Sequence, residues 1–193
     1  RSSEKFKNYK IIVLGHSLGA FMMPKIANSV SFDKAVMMAG NARDLQDVII
    51  DQYVYLNSLN PTKEGENEIA TIKKEVSFLT SKKFNTTLSS DELPLGLSAK
   101  YWQSLLNYKP LVEVKKVAIP LLILNGERDY QVTMKEFNLW KKTLGKTKTQ
   151  FISYPKLNHL FISGEGTPSP EEYSVKGKVD QKVIQDIITF CKL

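Results

Sequence analysis

The stretch Lys10-Ile-Ile-Val-Leu-Gly-His-Ser-Leu-Gly19 decides how this chain folds. Its first half is an apolar run at 11–14, which is typical of a strand buried on both faces of a parallel sheet. Its second half fits G-x-S-x-G, a tight strand-to-helix turn that lifts a serine hydroxyl above the sheet. We expect strained backbone at Ser17, and we expect side chains in place of Gly15 and Gly19 to collide with the neighbouring strand and helix. No Lys-Ser/Thr pair and no G-x-G-x-x-G accompanies this turn, which argues against a nucleotide-binding loop.

Composition narrows the possible classes of function. The chain has 193 residues, 42% hydrophobic and 24% charged, which suits a globular domain with its own core. The net charge of +7 comes mostly from lysines scattered along the whole chain, so we expect a solvated surface and no nucleic-acid partner. No apolar run approaches the ~20 residues of a membrane span, so we expect no stable membrane insertion.

Cys191 is the single cysteine. It excludes an internal disulfide and a cysteine-based metal site, and we expect no metal and no cofactor. The cytoplasm is favoured, although nothing fixes the compartment.

Further strand and helix patterns predict an α/β fold, with a mainly parallel sheet flanked by helices. Strands after the first are predicted at 32–40, 119–126 and 149–154, and helices at 20–27, 45–60, 63–80, 99–108, 134–144 and 180–190. A strand, a helix and a second strand within thirty residues form a right-handed parallel unit. Strand signals stop between 41 and 110, so we predict a helical cap there. This cap would be inserted between the two parts of the core, 1–40 and 111–193.

A serine nucleophile needs a base, and the base needs an orienting carboxylate. The chain has two histidines. His16 adjoins the serine and is expected to point away from its hydroxyl, so His159 is the candidate base. Asp129 is the candidate carboxylate, although Glu127 lies nearer the strand and Arg128 could pair with either acid. Each candidate follows a predicted strand, at the edge where ligands collect in parallel sheets. A histidine that merely fills a loop and an aspartate in a surface turn remain the alternatives.

The motifs Gly-His-Ser-Leu-Gly, Leu-Asn-Gly-Glu-Arg-Asp-Tyr-Gln-Val and Asn-His-Leu-Phe resemble the bacterial α/β-hydrolase superfamily, in its esterase and lysophospholipase-like branch with a helical cap. The chain order of serine, acid and base agrees with that superfamily. The resemblance covers essentially the whole chain. It implies Ser17 as nucleophile, Asp129 as acid, His159 as base and the Leu18 N–H as one oxyanion donor. Gly15, His16 and Gly19 complete the implied nucleophile elbow.

The chain departs from that superfamily before its first strand. Members place several strands there, and a loop among them supplies a second oxyanion donor. We therefore expect the chain to be the C-terminal portion of a longer enzyme, with the fold truncated at its N-terminus. The 11–14 strand would then be an apolar edge of the sheet, and such an edge recruits other chains. A homodimer through this edge, or poor solubility, is the expected consequence.

The expected activity is cleavage of small carboxylic esters through an acyl-enzyme intermediate, weak or absent in this portion alone. A serine peptidase or acyltransferase on the same three residues is one alternative, and a non-catalytic binding module with this fold is another. Aromatic residues of the predicted cap would line an acyl or aromatic pocket, or would simply pack the cap. They are Tyr53, Tyr55, Tyr101 and Trp102.

Overall fold

The computed structural model describes residues 4–192, which divide into two compact units. The first unit contains the residues up to Ala42, Pro110–Pro168 and the residues from Glu172 onward. The second contains Arg43–Lys109 and Ser169–Glu171. The role of 41–110 as a cap stays a prediction.

A four-stranded sheet, with all neighbouring strands parallel, forms the centre of the first unit. Its strands are β1 (Ile12–His16), β2 (Lys34–Met38), β3 (Leu121–Gly126) and β4 (Gln150–Tyr154), in the spatial order β1-β2-β3-β4. Every residue of β2 and β3 is buried, as expected for the middle strands of a parallel sheet. The predicted parallel α/β architecture is confirmed.

Helices cover both faces of this sheet. The helices of the first unit are α1 (Leu18–Ser29), α5 (Pro110–Glu113), α6 (Met134–Leu144) and α7 (Gln181–Lys192). Side chains alternate between the faces along each strand, so β3 sends Ile123 into the cluster with α1 and α6, and Leu124 into the cluster with α7. Pro110 is the first residue of α5, a position where its missing N–H costs no hydrogen bond.

The second unit is helical. Its helices are α2 (Leu45–Leu59), α3 (Lys63–Leu79) and α4 (Ala99–Leu106). Trp102 is fully buried and its indole N–H donates to the Pro94 carbonyl at 3.1 Å, so it packs the interior of this unit instead of lining a pocket. Within residues 4–192, no helix has the length and apolar character needed to cross a membrane.

One edge of the sheet is formed by β1. Among the described residues β1 pairs only with β2, and Leu14 leaves 51% of its surface exposed. The other edge of β1 therefore presents unpaired backbone N–H and C=O groups beside an exposed apolar side chain, the arrangement through which sheets of separate molecules join.

We predict that the chain self-associates through β1 and that Leu14→Lys weakens this association, because a lysine at a sheet edge opposes strand pairing. Sedimentation velocity over a range of concentrations measures it. Val30→Lys is the matched control, since Val30 is 57% exposed and lies outside the sheet. A wild-type chain that stays monomeric at high concentration would contradict the prediction.

Candidate active site

Ser17 lies between β1 and α1, in a sharp turn at the carboxyl end of the strand. Its backbone has φ 53° and ψ −117°, a combination that is easy for glycine and strained for serine. Two backbone hydrogen bonds hold it there: its N–H donates to the Met38 carbonyl and its own carbonyl accepts from the Phe21 N–H, both at 2.9 Å. The strained backbone expected at Ser17 is therefore present, and the neighbouring strand and the first turn of α1 fix it.

The two glycines around Ser17 differ in the space available to them. A Cβ at Gly15 would lie 2.5 Å from the carbonyl carbon and oxygen of Gly19, so only glycine lets β1 and the first turn of α1 approach this closely. A Cβ at Gly19 would meet no atom within 4 Å. The expected collision is confirmed for Gly15, which lies against the backbone of α1. It is wrong for Gly19, which faces open space.

Leu18 is the first residue of α1 and is exposed. An N–H group in the first turn of a helix has no partner within that helix. The positive end of the helix dipole adds to its attraction for negative charge. The Leu18 N–H is thus available to an anion beside Ser17, and its role as oxyanion donor stays a prediction.

Asp129 lies in the turn after β3, and its carboxylate is almost fully buried. One carboxylate oxygen, Oδ1, accepts hydrogen bonds from the backbone N–H groups of Gln131 and Val132, both at 2.8 Å. These two bonds fix the orientation of the side chain and leave Oδ2 to face His159. Glu127, the other acid in this turn, is exposed and accepts from the Ser153 hydroxyl at 2.7 Å.

His159 lies in the loop after β4 and is hydrogen-bonded to Asp129. Its Nδ1 is 2.7 Å from Asp129 Oδ2, and both side chains are buried. A carboxylate can only accept, so this contact requires the proton on Nδ1 and leaves Nε2 as the basic nitrogen. The candidate acid and base, thirty positions apart in sequence, are therefore brought together.

Close backbone contact between the loops after β3 and β4 positions this pair. The Arg128 N–H donates to the Leu157 carbonyl at 3.1 Å. A Cβ at Gly126 would lie 2.2 Å from that same carbonyl oxygen, which leaves no room for any larger residue. The glycine that ends β3 is thus what allows the Asp129 turn to approach the His159 loop.

His16 contacts the candidate base, a contact that no local pattern in the sequence predicts. Its Nε2 is 2.8 Å from the backbone oxygen of His159, and the two imidazole rings lie 4.7 Å apart between centroids. His16 donates this bond when Nε2 carries a proton. The residue immediately before Ser17 is thereby fixed to the backbone of the candidate base.

Within residues 4–192 the Ser17 hydroxyl makes no hydrogen bond, so its pairing with His159 stays a prediction.

Arg128 also differs from expectation, since it pairs with neither Asp129 nor Glu127. Its guanidinium forms an ion pair with Glu172 and donates to the backbone carbonyls of Glu165 and Gly166.

No group of three or more possible metal ligands occurs among the described side chains.

We predict that Gly15→Ala destabilises the chain by about 1–3 kcal/mol, the usual cost of overpacking, because its Cβ would strike the backbone of α1. Gly19→Ala is the matched control and should leave stability unchanged or raise it by up to about 1 kcal/mol through helix propensity. Urea unfolding measures both values. Equal stabilities for the two variants would contradict the assignment of the close contact to Gly15.

The sequence is clearly similar to a known esterase. Esterase EstD of Thermotoga maritima is 41% identical over 179 residues, which cover 92% of this chain and 42% of that protein. The chain thus spans less than half the length of the curated relative that it matches. No family model matches the sequence.

Solved structures give more distant similarities. An acylaminoacyl peptidase of Pyrococcus horikoshii is 17% identical, with a TM-score of 0.45 over 78% of this chain and 20% of that one. An esterase of Pyrococcus furiosus is 14% identical, with a TM-score of 0.47 over 76% of this chain and 47% of that one. By its sequence, the chain is a homologue of part of esterase EstD.

Proposed function

We propose that this chain carries the catalytic residues of a carboxylic-ester hydrolase, with Ser17 as nucleophile, His159 as general base and Asp129 as the orienting acid. The observation that carries the proposal is the buried hydrogen bond between His159 Nδ1 and Asp129 Oδ2. This bond lies at the carboxyl ends of the parallel strands, where the Ser17 turn also lies. Homology with an esterase over 92% of the chain supports ester hydrolysis as the reaction class.

The proposed reaction begins when the Ser17 hydroxyl oxygen attacks the ester carbonyl carbon while His159 Nε2 takes the hydroxyl proton. Negative charge develops on the carbonyl oxygen, and the Leu18 N–H donates a hydrogen bond to it. Collapse of this tetrahedral intermediate breaks the bond to the alcohol, which leaves with the proton from His159. The products of this half-reaction are an acyl-serine and a free alcohol.

Water completes the proposed cycle by the same steps. His159 Nε2 removes a proton from water as the water oxygen attacks the acyl carbon, and the proton then passes to the Ser17 oxygen as the acid leaves. Asp129 stabilises the imidazolium that forms in each half-reaction and keeps the ring in the required tautomer. Its two bonds from backbone N–H groups hold the carboxylate still while this occurs.

The turn at Ser17 suits the role of a nucleophile elbow in this scheme. Its strained backbone presents the hydroxyl at the start of α1, and the helix dipole there favours the negative charge of the intermediate. The hydrogen bond between His16 Nε2 and the His159 backbone oxygen would keep the base close to the nucleophile. A small ester is the proposed substrate, in keeping with the similarity to an esterase, and none of these steps needs a metal or cofactor.

We predict that a fluorophosphonate probe forms a covalent adduct on Ser17, detected by mass spectrometry of the labelled peptide. Ser17→Ala should abolish labelling. Asp129→Asn should lower its rate on the order of 10⁴-fold, because the histidine then loses the tautomer that leaves Nε2 basic.

Ser29→Ala is the matched control for this experiment. Ser29 lies at the other end of α1, where its hydroxyl is exposed and donates to the Lys25 carbonyl. This variant should label and hydrolyse p-nitrophenyl acetate like the wild type. No labelling of Ser17 in the full-length protein would contradict the proposal and favour a non-catalytic binding module.

A further inference from the structure

Glu172 lies on a short 3-10 helix, Pro170–Ser174, and contacts residues next to both the candidate acid and the candidate base. One of its carboxylate oxygens, Oε1, pairs with the Arg128 guanidinium, and Arg128 immediately precedes Asp129. The other oxygen, Oε2, accepts from the Asn158 side-chain amide at 3.2 Å, and Asn158 immediately precedes His159. A single carboxylate thus connects the two loops whose side chains form the Asp129–His159 pair.

The contacts of this carboxylate are largely shielded from water. The side chains of Arg128 and Glu172 are 13% and 14% exposed, and Asn158 is buried. Ion pairs and charged hydrogen bonds at such sites are screened less than those on an open surface. Gly164 lies against the pair, where a Cβ would come within 2.8 Å of Glu172 Oε1. The packing leaves the carboxylate little freedom to move.

Asn158 transmits this restraint into its own loop. Its side-chain oxygen accepts from the backbone N–H groups of Leu160 and Ile162, at 3.0 and 3.2 Å, so the amide closes the loop that carries His159. The amide nitrogen of the same side chain donates to Glu172. Rotation of the Asn158 side chain would therefore break both the closure of this loop and its connection to Glu172.

Tyr173 adds a second connection from the same short helix to the Asp129 turn. Its hydroxyl accepts from the Gln131 side-chain amide at 2.9 Å, and its ring stacks on Tyr130 with centroids 5.9 Å apart. Residues on both sides of Asp129 are thereby held by Glu172 and Tyr173. The Asp129 turn is anchored to this helix through side chains as well as through its own backbone.

We propose that Glu172 is a positioning residue for the hydrolysis described above, holding Asp129 and His159 in hydrogen-bonding geometry through Arg128 and Asn158. Its carboxylate hydrogen-bonds to Arg128 and Asn158 and would act through them. The inference rests on the proposed function for its effect on rate, but the hydrogen bond that it maintains can be observed without turnover. A misplacement of about 1 Å in such a pair lowers the rate by roughly a hundredfold.

The test compares Glu172→Gln with Glu171→Gln, its exposed neighbour on the same short helix. The first readout is the low-field proton NMR resonance of His159 Nδ1–H, assigned by its absence in His159→Gln. The second is the kcat and KM for p-nitrophenyl acetate. In Glu172→Gln we expect the resonance to broaden or vanish and kcat to fall roughly tenfold to a hundredfold, with little change in KM. Glu171→Gln should match the wild type in both.

Glu172→Gln leaves the Arg128 charge without its partner and could unfold the chain. The double variant Arg128→Gln/Glu172→Gln removes both charges, and circular dichroism verifies that it folds. Loss of the low-field resonance in this folded double variant supports the proposal. A folded variant of either kind with the wild-type resonance and wild-type kcat overturns it. The two proposals are tested separately: labelling of Ser17 in the full-length protein decides the proposed function, and the resonance in the variants decides the role of Glu172 even where the chain shows no esterase activity.

Discussion

The hydrogen bond between His159 Nδ1 and Asp129 Oδ2 is the interaction on which the functional interpretation depends. It joins two loops that leave neighbouring parallel strands, and it is buried, so water does not compete for either partner. A buried charged group without a hydrogen-bond partner costs several kcal/mol in stability, so this pair also stabilises the arrangement of the loops. The backbone contact at Gly126, the two N–H donors to Asp129 and the Glu172 carboxylate all serve to hold this one bond.

The topology of the sheet explains why the Asp129–His159 pair forms at the carboxyl ends of the strands. Parallel strands end at the same side, so the turns after β1, β3 and β4 gather there, with the end of β2 between them. Residues with strained backbone conformations also lie at these carboxyl ends. Ser17, Ala39 and Phe161 have positive φ values, and they follow β1, β2 and β4. Such conformations persist only where neighbouring hydrogen bonds impose them, and they are often found at functional sites.

Much of this arrangement could be predicted from local sequence. Apolar runs closed by glycine, as at Leu121–Gly126, predict three of the four strands, and the acid and base candidates are predicted because each follows a strand. The contacts that hold these candidates could not be predicted in the same way. His16 and His159 are 143 positions apart, and Arg128 and Glu172 are 44 apart. Glu172 also lies beside a Gly/Pro/Ser-rich stretch that carries no periodic signal. Pairing of this kind depends on how loops pack in three dimensions, which no local pattern encodes.

The protonation of the His159 ring tests the central claim most directly. Nitrogen-15 NMR of histidine-labelled chain distinguishes the two neutral tautomers, and variants of the two histidines assign the signals. We predict that neutral His159 carries its proton on Nδ1, donating to Asp129, with Nε2 unprotonated and available to a serine. A neutral His159 protonated on Nε2 would contradict it, because that ring could neither donate to Asp129 nor accept a proton from Ser17.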